Sequence, residues 1–233
     1  MHTFRQGPLS IFWGDKSSCS VPKDSPAFKD FCVKFAHDLG LPELVVLNQE
    51  HGIVGYQAGI GFSPGVSVYE KSGDWLITNK PGLGIGVHSA DCLPVVLYDP
   101  EHNTVGVAHS GWRGTVKNIV GVMLDAMVET FKTQPAQVQV FFGPAAKTCC
   151  YEVSPSFESA LPAGYDITGL LVKRDGKLFF DNALLCQRML EKAGVRSENI
   201  NQAFNLCTMC DNQFHSARRD KSMERNLTVV SIN

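Results

Sequence analysis

The chain has 233 residues, with 21 Lys and Arg against 23 Asp and Glu, giving a formal net charge of -2. That balance excludes a nucleic-acid backbone or an anionic membrane surface as the principal partner. At 44% hydrophobic and 9% aromatic the chain can build a sizeable core, which excludes intrinsic disorder. At ~150 residues per domain, residues 1–233 are expected to form one domain. No run approaches the ~20 apolar residues of a membrane span. The start, Met1 to Gly7, lacks a basic-then-apolar leader. The expectation is therefore a cytoplasmic protein in a reducing compartment. Its eight cysteines (Cys19, Cys32, Cys92, Cys149, Cys150, Cys186, Cys207, Cys210) are then thiols, core residues or ligands, not a disulfide framework.

In chain order, the first helix is expected from Phe28 to Leu39, with Ser25 as N-cap, Pro26 at the first helical position and Gly40 as the stop. Phe28, Phe31, Cys32, Phe35, Ala36 and Leu39 form one apolar stripe, which makes Cys32 a core residue. Leu44–Leu47 reads as a strand. Further strands follow at Trp75–Thr78, Leu83–His88, Leu93–Tyr98, Thr104–Ala108 and Val138–Phe142. A single long helix is expected from about Val116 to Phe131, and its broad apolar face would pack on a sheet. A short helix after Ser154-Pro155, a hairpin around Lys173–Phe180, a helix from near Asp181 to Gly194 and a strand at Leu227–Ile232 complete the chain. The irregular mixing of strands and helices predicts an α/β (α+β) domain with mixed sheets.

The most informative segment runs from His88 to His109. Two strands flank Asp99-Pro100-Glu101-His102, a turn with Pro at its second position. A turn centred on Pro100 and Glu101 pairs 99 with 102 and, carried outward, sets Cys92 opposite His109. Directly opposed residues share a face with Cβ atoms roughly 4.5–5.5 Å apart. Such a pair can bind a metal, or act as nucleophile and base, or be a buried cysteine beside a hydrogen-bonded histidine. After it, Ser110-Gly111-Trp112-Arg113-Gly114-Thr115 reads as a strand-to-helix turn with Thr115 as N-cap. Arg113 and the Gly114 turn are candidate anion binders at a helix start, unless the glycines only serve the turn and Arg113 pairs with a carboxylate.

Gln49-Glu50-His51-Gly52, Ala90-Asp91-Cys92-Leu93-Pro94 and His109-Ser110-Gly111-Trp112-Arg113-Gly114 together resemble the successive signatures of the YfiH/laccase-domain family. Gly143-Pro144 with Cys150-Tyr151-Glu152-Val153 is similar to its next block. Cys207-Thr208 and Phe214-His215-Ser216-Ala217-Arg218-Arg219-Asp220 are similar to the last. The resemblance runs from about residue 44 to the end. It implies a layered α/β/β/α sandwich of mixed sheets, a fold shared with certain toxin deamidases. It also implies one zinc held by His51, Cys92 and His109, with copper possible in vitro. The implied chemistry is phosphorolysis of adenosine, inosine, guanosine and methylthioadenosine, with deamination of adenosine. Purine nucleoside and phosphate are the implied small-molecule partners, and the protein is expected as a monomer or small homo-oligomer. Asp91 is a candidate for orienting a ligand or transferring a proton. Arg218 is a candidate substrate contact, preferred to Arg219 because neighbours in an extended stretch point opposite ways.

The sequence departs from the family in places. Ile11 to Cys19 lacks the usual Thr-x-Arg-x-Gly-Gly stretch, and Ala217 stands where an aromatic is common. Other activities compete. A peptidoglycan-precursor editing hydrolase would use the same site. A metal-free cysteine hydrolase would use a Cys92–His109 dyad, and a zinc-stabilised binding protein would close the shell with a fourth protein ligand. A copper polyphenol oxidase is disfavoured, because multicopper clusters need many imidazoles and the seven histidines form no H-x-H pair. Cys207-x-x-Cys210 stands without a second such pair, so a zinc ribbon is not expected, and adjacent Cys149 and Cys150 are not expected to aim both sulfurs at one ion. His215 is a further candidate substrate contact, whereas His88 is left out of the site.

Overall fold

Apolar runs of strand length dominate the sequence, and in the computed structural model most of them pair into sheets. The structure describes residues 2–19 and 21–233. The chain begins with β1 (His2–Gln6), β2 (Leu9–Trp13), α1 (Ala27–Asp38), β3 (Glu43–Asn48), β4 (Gly55–Gln57), β5 (Val66–Ser72) and β6 (Trp75–Thr78). Next come β7 (Leu83–Ser89), β8 (Leu93–Asp99), β9 (Thr104–Ser110), α2 (Trp112–Val116), α3 (Ile119–Phe131) and β10 (Gln139–Phe142). It ends with β11 (Glu152–Val153), β12 (Leu171–Arg174), β13 (Lys177–Phe180), α4 (Asn182–Lys192), β14 (Ile200–Asn201), α5 (Ala217–Asp220) and β15 (Asn226–Ile232).

The strands form two six-stranded sheets, ordered β1-β2-β15-β7-β3-β5 and β14-β10-β8-β9-β6-β4, and a small sheet β11-β13-β12. Both large sheets are mixed: β3 runs parallel to β5 and β7, while β15 is antiparallel to β2 and β7. Ile11, Trp13, Ile85 and Val87 of the first sheet meet Val96, Val105, Val107 and Phe141 of the second. α1 covers the outer face of the first sheet, with Phe28, Cys32 and Phe35 on Val46 and Val229. α3 and α4 cover the outer face of the second, with Met123, Met127 and Met189 among Val95, Leu97 and Val140. The result is the expected α/β/β/α sandwich. Every residue of β7, β8, β9 and β15 is buried, because both faces of these strands are covered. No helix among the described residues is long and apolar enough to cross a membrane.

Three local expectations are corrected. The helix expected from Val116 to Phe131 is two helices, α2 and α3. Asn118 interrupts them with a left-handed φ of 64° and caps α3 by accepting from the Gly121 N–H. Thr115 accordingly lies inside α2 and is not an N-cap. In α1 the N-cap position is Pro26, while the Ser25 hydroxyl accepts from the Ala27 N–H at 3.2 Å.

The third correction concerns the β8–β9 hairpin, where Asp99 pairs with Thr104 and Pro94 with His109, two residues away from the expected register. The cause is the turn. The Asp99 carboxylate accepts from the N–H groups of Glu101 and His102 at 2.9 and 3.3 Å, and Asn103 takes a φ of 47°. Pro100 to Asn103 therefore close the loop. A slip of two preserves the side-chain parity, so Cys92 and His109 keep to one face as diagonal neighbours instead of opposed ones.

Candidate metal centre and its cavity

Three segments meet at the ends of these strands. β3 leads into the loop bearing His51, Cys92 precedes β8, and His109 lies near the end of β9. Two of the approaches need unusual backbone. His51 has a φ of 59°, and Asp91, just before Cys92, has a φ of 83°. Non-glycine residues are rarely held in this region, and such positions concentrate at functional sites. The donor atoms of His51, Cys92 and His109 all lie within 4.8 Å of one another. Cys92 Sγ is 3.8 Å from His51 Nε2, and the two imidazole rings stand 4.7 Å apart at 82°. Metal–ligand bonds of about 2.0–2.3 Å set donors of one ion roughly 3.3–3.8 Å apart, so this trio is close to a shared shell. Gly111 is what permits the approach: a Cβ there would sit 2.8 Å from the His51 ring and 3.2 Å from Cys92 Sγ.

Asp74, which the sequence did not single out, organises the trio. It is 1% exposed, and its Oδ1 lies 2.9 Å from His109 Nδ1. The same carboxylate accepts from the N–H groups of Glu50, His51 and Gly52 at 3.2, 3.0 and 2.7 Å. One buried carboxylate thus holds the His51 loop and leaves His109 Nε2 free to face the other donors, the usual partnership behind a metal-binding imidazole. Burial opposes ionisation of Asp74, yet His109 and the Gly52 and His51 amides hold its carboxyl below the ordinary range. Burial likewise raises the Cys92 thiol, but His109 and His51 outweigh it and draw the group down towards thiolate. His109 shifts the other way: burial disfavours its charge, and Cys92 and Asp74 more than restore it.

The trio opens on a cavity of about 250 Å³. Lys23, Arg113, Arg218 and Arg225 line it, together with Trp112, Tyr151, Gln49 and His88. The Arg113 guanidinium lies 4.6 Å over the Trp112 ring and that of Arg218 lies 4.7 Å over Tyr151. Gln49 grips the backbone of His88 from both sides, donating to its carbonyl and accepting from its N–H at 2.8 Å each. His88, left out on sequence grounds, lies in the wall with its Nε2 buried and unpartnered among protein groups. Burial, first of several causes, holds it neutral.

Other candidates are placed differently from expectation. The Asp91 carboxylate borders the cavity but is engaged by the Thr208 hydroxyl at 2.7 Å and the Arg218 N–H at 2.9 Å. The carboxylate that orients a candidate ligand is Asp74 instead. Gly114 does not line the cavity. It sits inside five-residue α2, where a Cβ would meet the Gly52 carbonyl at 2.7 Å, so its smallness lets α2 approach the His51 loop. Arg218 faces the cavity and Arg219 does not, but the two lie in the short helix α5, not in an extended stretch. Arg219 instead donates to the carbonyls of Thr208, Met209, Asp211 and Phe214. His215 is buried away from the cavity, its Nε2 against the Cys19 carbonyl. Cys149 and Cys150 both point at Cys207 and Cys210, contrary to expectation.

Fold and site together define a four-layer α/β protein with a mixed nitrogen–sulfur donor set open to a basic cavity. The chain belongs to the family described as multi-copper polyphenol oxidoreductase laccase, whose model matches residues 20–233. A purine nucleoside phosphorylase of Aquifex aeolicus is 38% identical over 160 residues, covering 69% of this chain and 71% of that one. Another, of Xylella fastidiosa (strain 9a5c), is 30% identical over 256 residues, covering 100% of this chain and 91% of its own. Adenosine deaminase RL5, from an unknown prokaryotic organism, is 34% identical over 150 residues, covering 63% of this chain and 56% of that protein. The crystal structure of the hypothetical protein YfiH of Bacillus licheniformis shares the fold, with a TM-score of 0.83 at 24% identity and coverage of 97% and 93%. Among the described residues, the groups that could hold a metal contain at most two imidazoles.

Proposed function

We propose that the protein is a zinc-dependent enzyme that cleaves purine nucleosides with phosphate and also deaminates adenosine. The observation that carries this is the union of a three-donor N/S/N cluster with a cavity walled by four cations. His51, Cys92 and His109 fit a zinc ion chemically: imidazole and thiolate are its ordinary ligands, and three of them leave a position open. A zinc held there supplies Lewis acidity at the cavity wall. Arg113 and Arg218, each stacked on an aromatic ring, present fixed charges suited to inorganic phosphate. Lys23 and Arg225 add to the same anion field. Trp112 and Tyr151 give the cavity an apolar wall against which a purine base could pack.

Mixing the purified protein with adenosine, inosine or guanosine, with and without phosphate, tests this by mass spectrometry. Free base and ribose 1-phosphate should form only with phosphate, while inosine should form from adenosine without it. Metal-loaded protein that consumes no nucleoside under either condition would refute the proposal.

A second activity rests on Asp74. Cys92, His109 and Asp74 also stand in the order nucleophile, base and orienting carboxylate, as a cysteine hydrolase requires. Such an enzyme would keep full activity after chelation, whereas the zinc enzyme loses it.

A further inference from the structure

Cys149, Cys150, Cys207 and Cys210 form a second cluster, away from the cavity, in which all four sulfurs lie within 4.8 Å of one another. Cys210 Sγ is 3.5 Å from Cys149 Sγ and 3.2 Å from Cys150 Sγ. These separations are far beyond the ~2.05 Å of a disulfide. They approach the roughly 3.8 Å edge of a tetrahedron with Zn–S bonds of about 2.3 Å. Two loops supply the sulfurs. In one, the N–H groups of Cys150 and Tyr151 both donate to the Lys147 carbonyl, at 2.8 and 2.7 Å, a turn tight enough to bring adjacent cysteines to one side. In the other, the Asp211 N–H closes on the Cys207 carbonyl at 2.9 Å. Ala145 bridges to Cys207, and Lys147 Nζ donates to the Asn205 carbonyl, so the loops are already stitched together.

We propose that these four cysteines form a separate, structural zinc site, a closed tetrathiolate clamping the 145–151 turn to the 205–211 loop. Four soft sulfur donors with no oxygen ligand among them select zinc or another thiophilic ion over magnesium or calcium. With every position filled by protein, no place remains for substrate, which separates this site in kind from the trio at the cavity. Binding exchanges the thiol protons for one Zn²⁺, and no electron moves. The site stands behind the cavity wall. Tyr151, under Arg218, follows Cys150 directly, and Thr208, within the Cys207–Cys210 loop, holds Asp91 by its hydroxyl. Its role is therefore to position that wall, and it stands whether or not the protein acts on nucleosides.

The test is metal content per chain in protein purified reduced, without chelator or a histidine tag. Wild type should hold two zinc ions, Cys92→Ala one, the double variant Cys149→Ser/Cys210→Ser one, and the triple combination none. Cobalt-substituted Cys92→Ala should show the strong sulfur-to-cobalt absorption of a tetrathiolate, and chelation should lower its melting temperature by about 5–10 °C. Metal-free Cys92→Ala protein would overturn the proposal, as would wild type purified under reductant whose peptide map shows these four cysteines joined as two disulfides. Should the double variant fail to fold, Cys92→Ala alone still decides, since its cluster is untouched. Failure of the site at His51, Cys92 and His109 would show instead as zinc absent from the double variant.

Discussion

The two sulfur-bearing clusters are made of opposite materials. At the cavity, a single thiol is set between two imidazoles, and a carboxylate 1% exposed stands behind one of them. At the other cluster, four thiols meet at the surface with no imidazole and no carboxylate among them. The first is held from outside, by Asp74 and by glycines that let neighbouring backbone close in. The second is held by turns within its two loops and by arginines that donate to their carbonyls, Arg219 to Thr208, Met209 and Asp211 and Arg174 to Cys149. An incomplete shell needs a rigid frame to keep its open side, whereas a complete shell orders its own ligands once the ion arrives. That difference predicts opposite responses to mutation.

The largest effect is expected for Cys92→Ala. It removes the only sulfur of the cavity trio and should reduce turnover by more than about 1,000-fold while the chain stays soluble and the four cysteines keep their capacity to bind metal. Steady-state rates with metal counts on the same sample check this, and wild-type activity in the variant would break the distinction between the clusters. Asp74→Asn should act on the cavity alone and less severely. The His109 imidazole loses its anionic partner, and zinc affinity there should fall about 10–100-fold. Competition with a metal indicator measures it. Equal loss of metal from both clusters would mean that Asp74 supports the fold at large and not the trio.

The same contrast explains what the sequence revealed. β7 to β9, covered on both faces, are continuous apolar runs and were legible, as was α4 with its Asp181 cap, whereas the equally buried β2 was not read as a strand. β5 was not: it is half exposed, Tyr69 takes a φ of 61°, and its register against β3 shifts near Val46 and Asn48, so no clean alternation remains. β1, a largely exposed edge strand, escaped because its residues give a weak pattern. Each block of the cavity trio sits in a recognisable motif, but Asp74 follows Ser72-Gly73 and reads as an ordinary turn aspartate. Its role exists only because β6 lies against β9, where the His109 N–H also donates to the Asp74 carbonyl at 2.8 Å. Cys149 and Cys210 are separated by 61 positions, and no local pattern announces that their loops meet.

The smallest predicted effect sharpens the comparison by moving neither ion. Asp99 closes the far end of the hairpin that carries both Cys92 and His109, and it is fully buried. Burial would raise its carboxyl. The Thr133 hydroxyl, the His102 ring at 2.8 Å and the Glu101 and His102 N–H groups more than offset this and hold it below its ordinary value. A carboxylate depressed in the folded state contributes stability above its unfolded pKa of about 3.9 and loses it as pH falls through that value towards the folded one. Asp99→Asn keeps an oxygen for the two turn amides and loses the charged contact to His102, a cost of about 1 kcal/mol at neutral pH. Denaturant midpoints of wild type and variant should therefore differ at pH 7 and converge below about pH 4, with both metal counts unchanged. A loss of metal binding at the cavity in this variant would show that the trio depends on the register of the whole hairpin and not on the frame around Asp74.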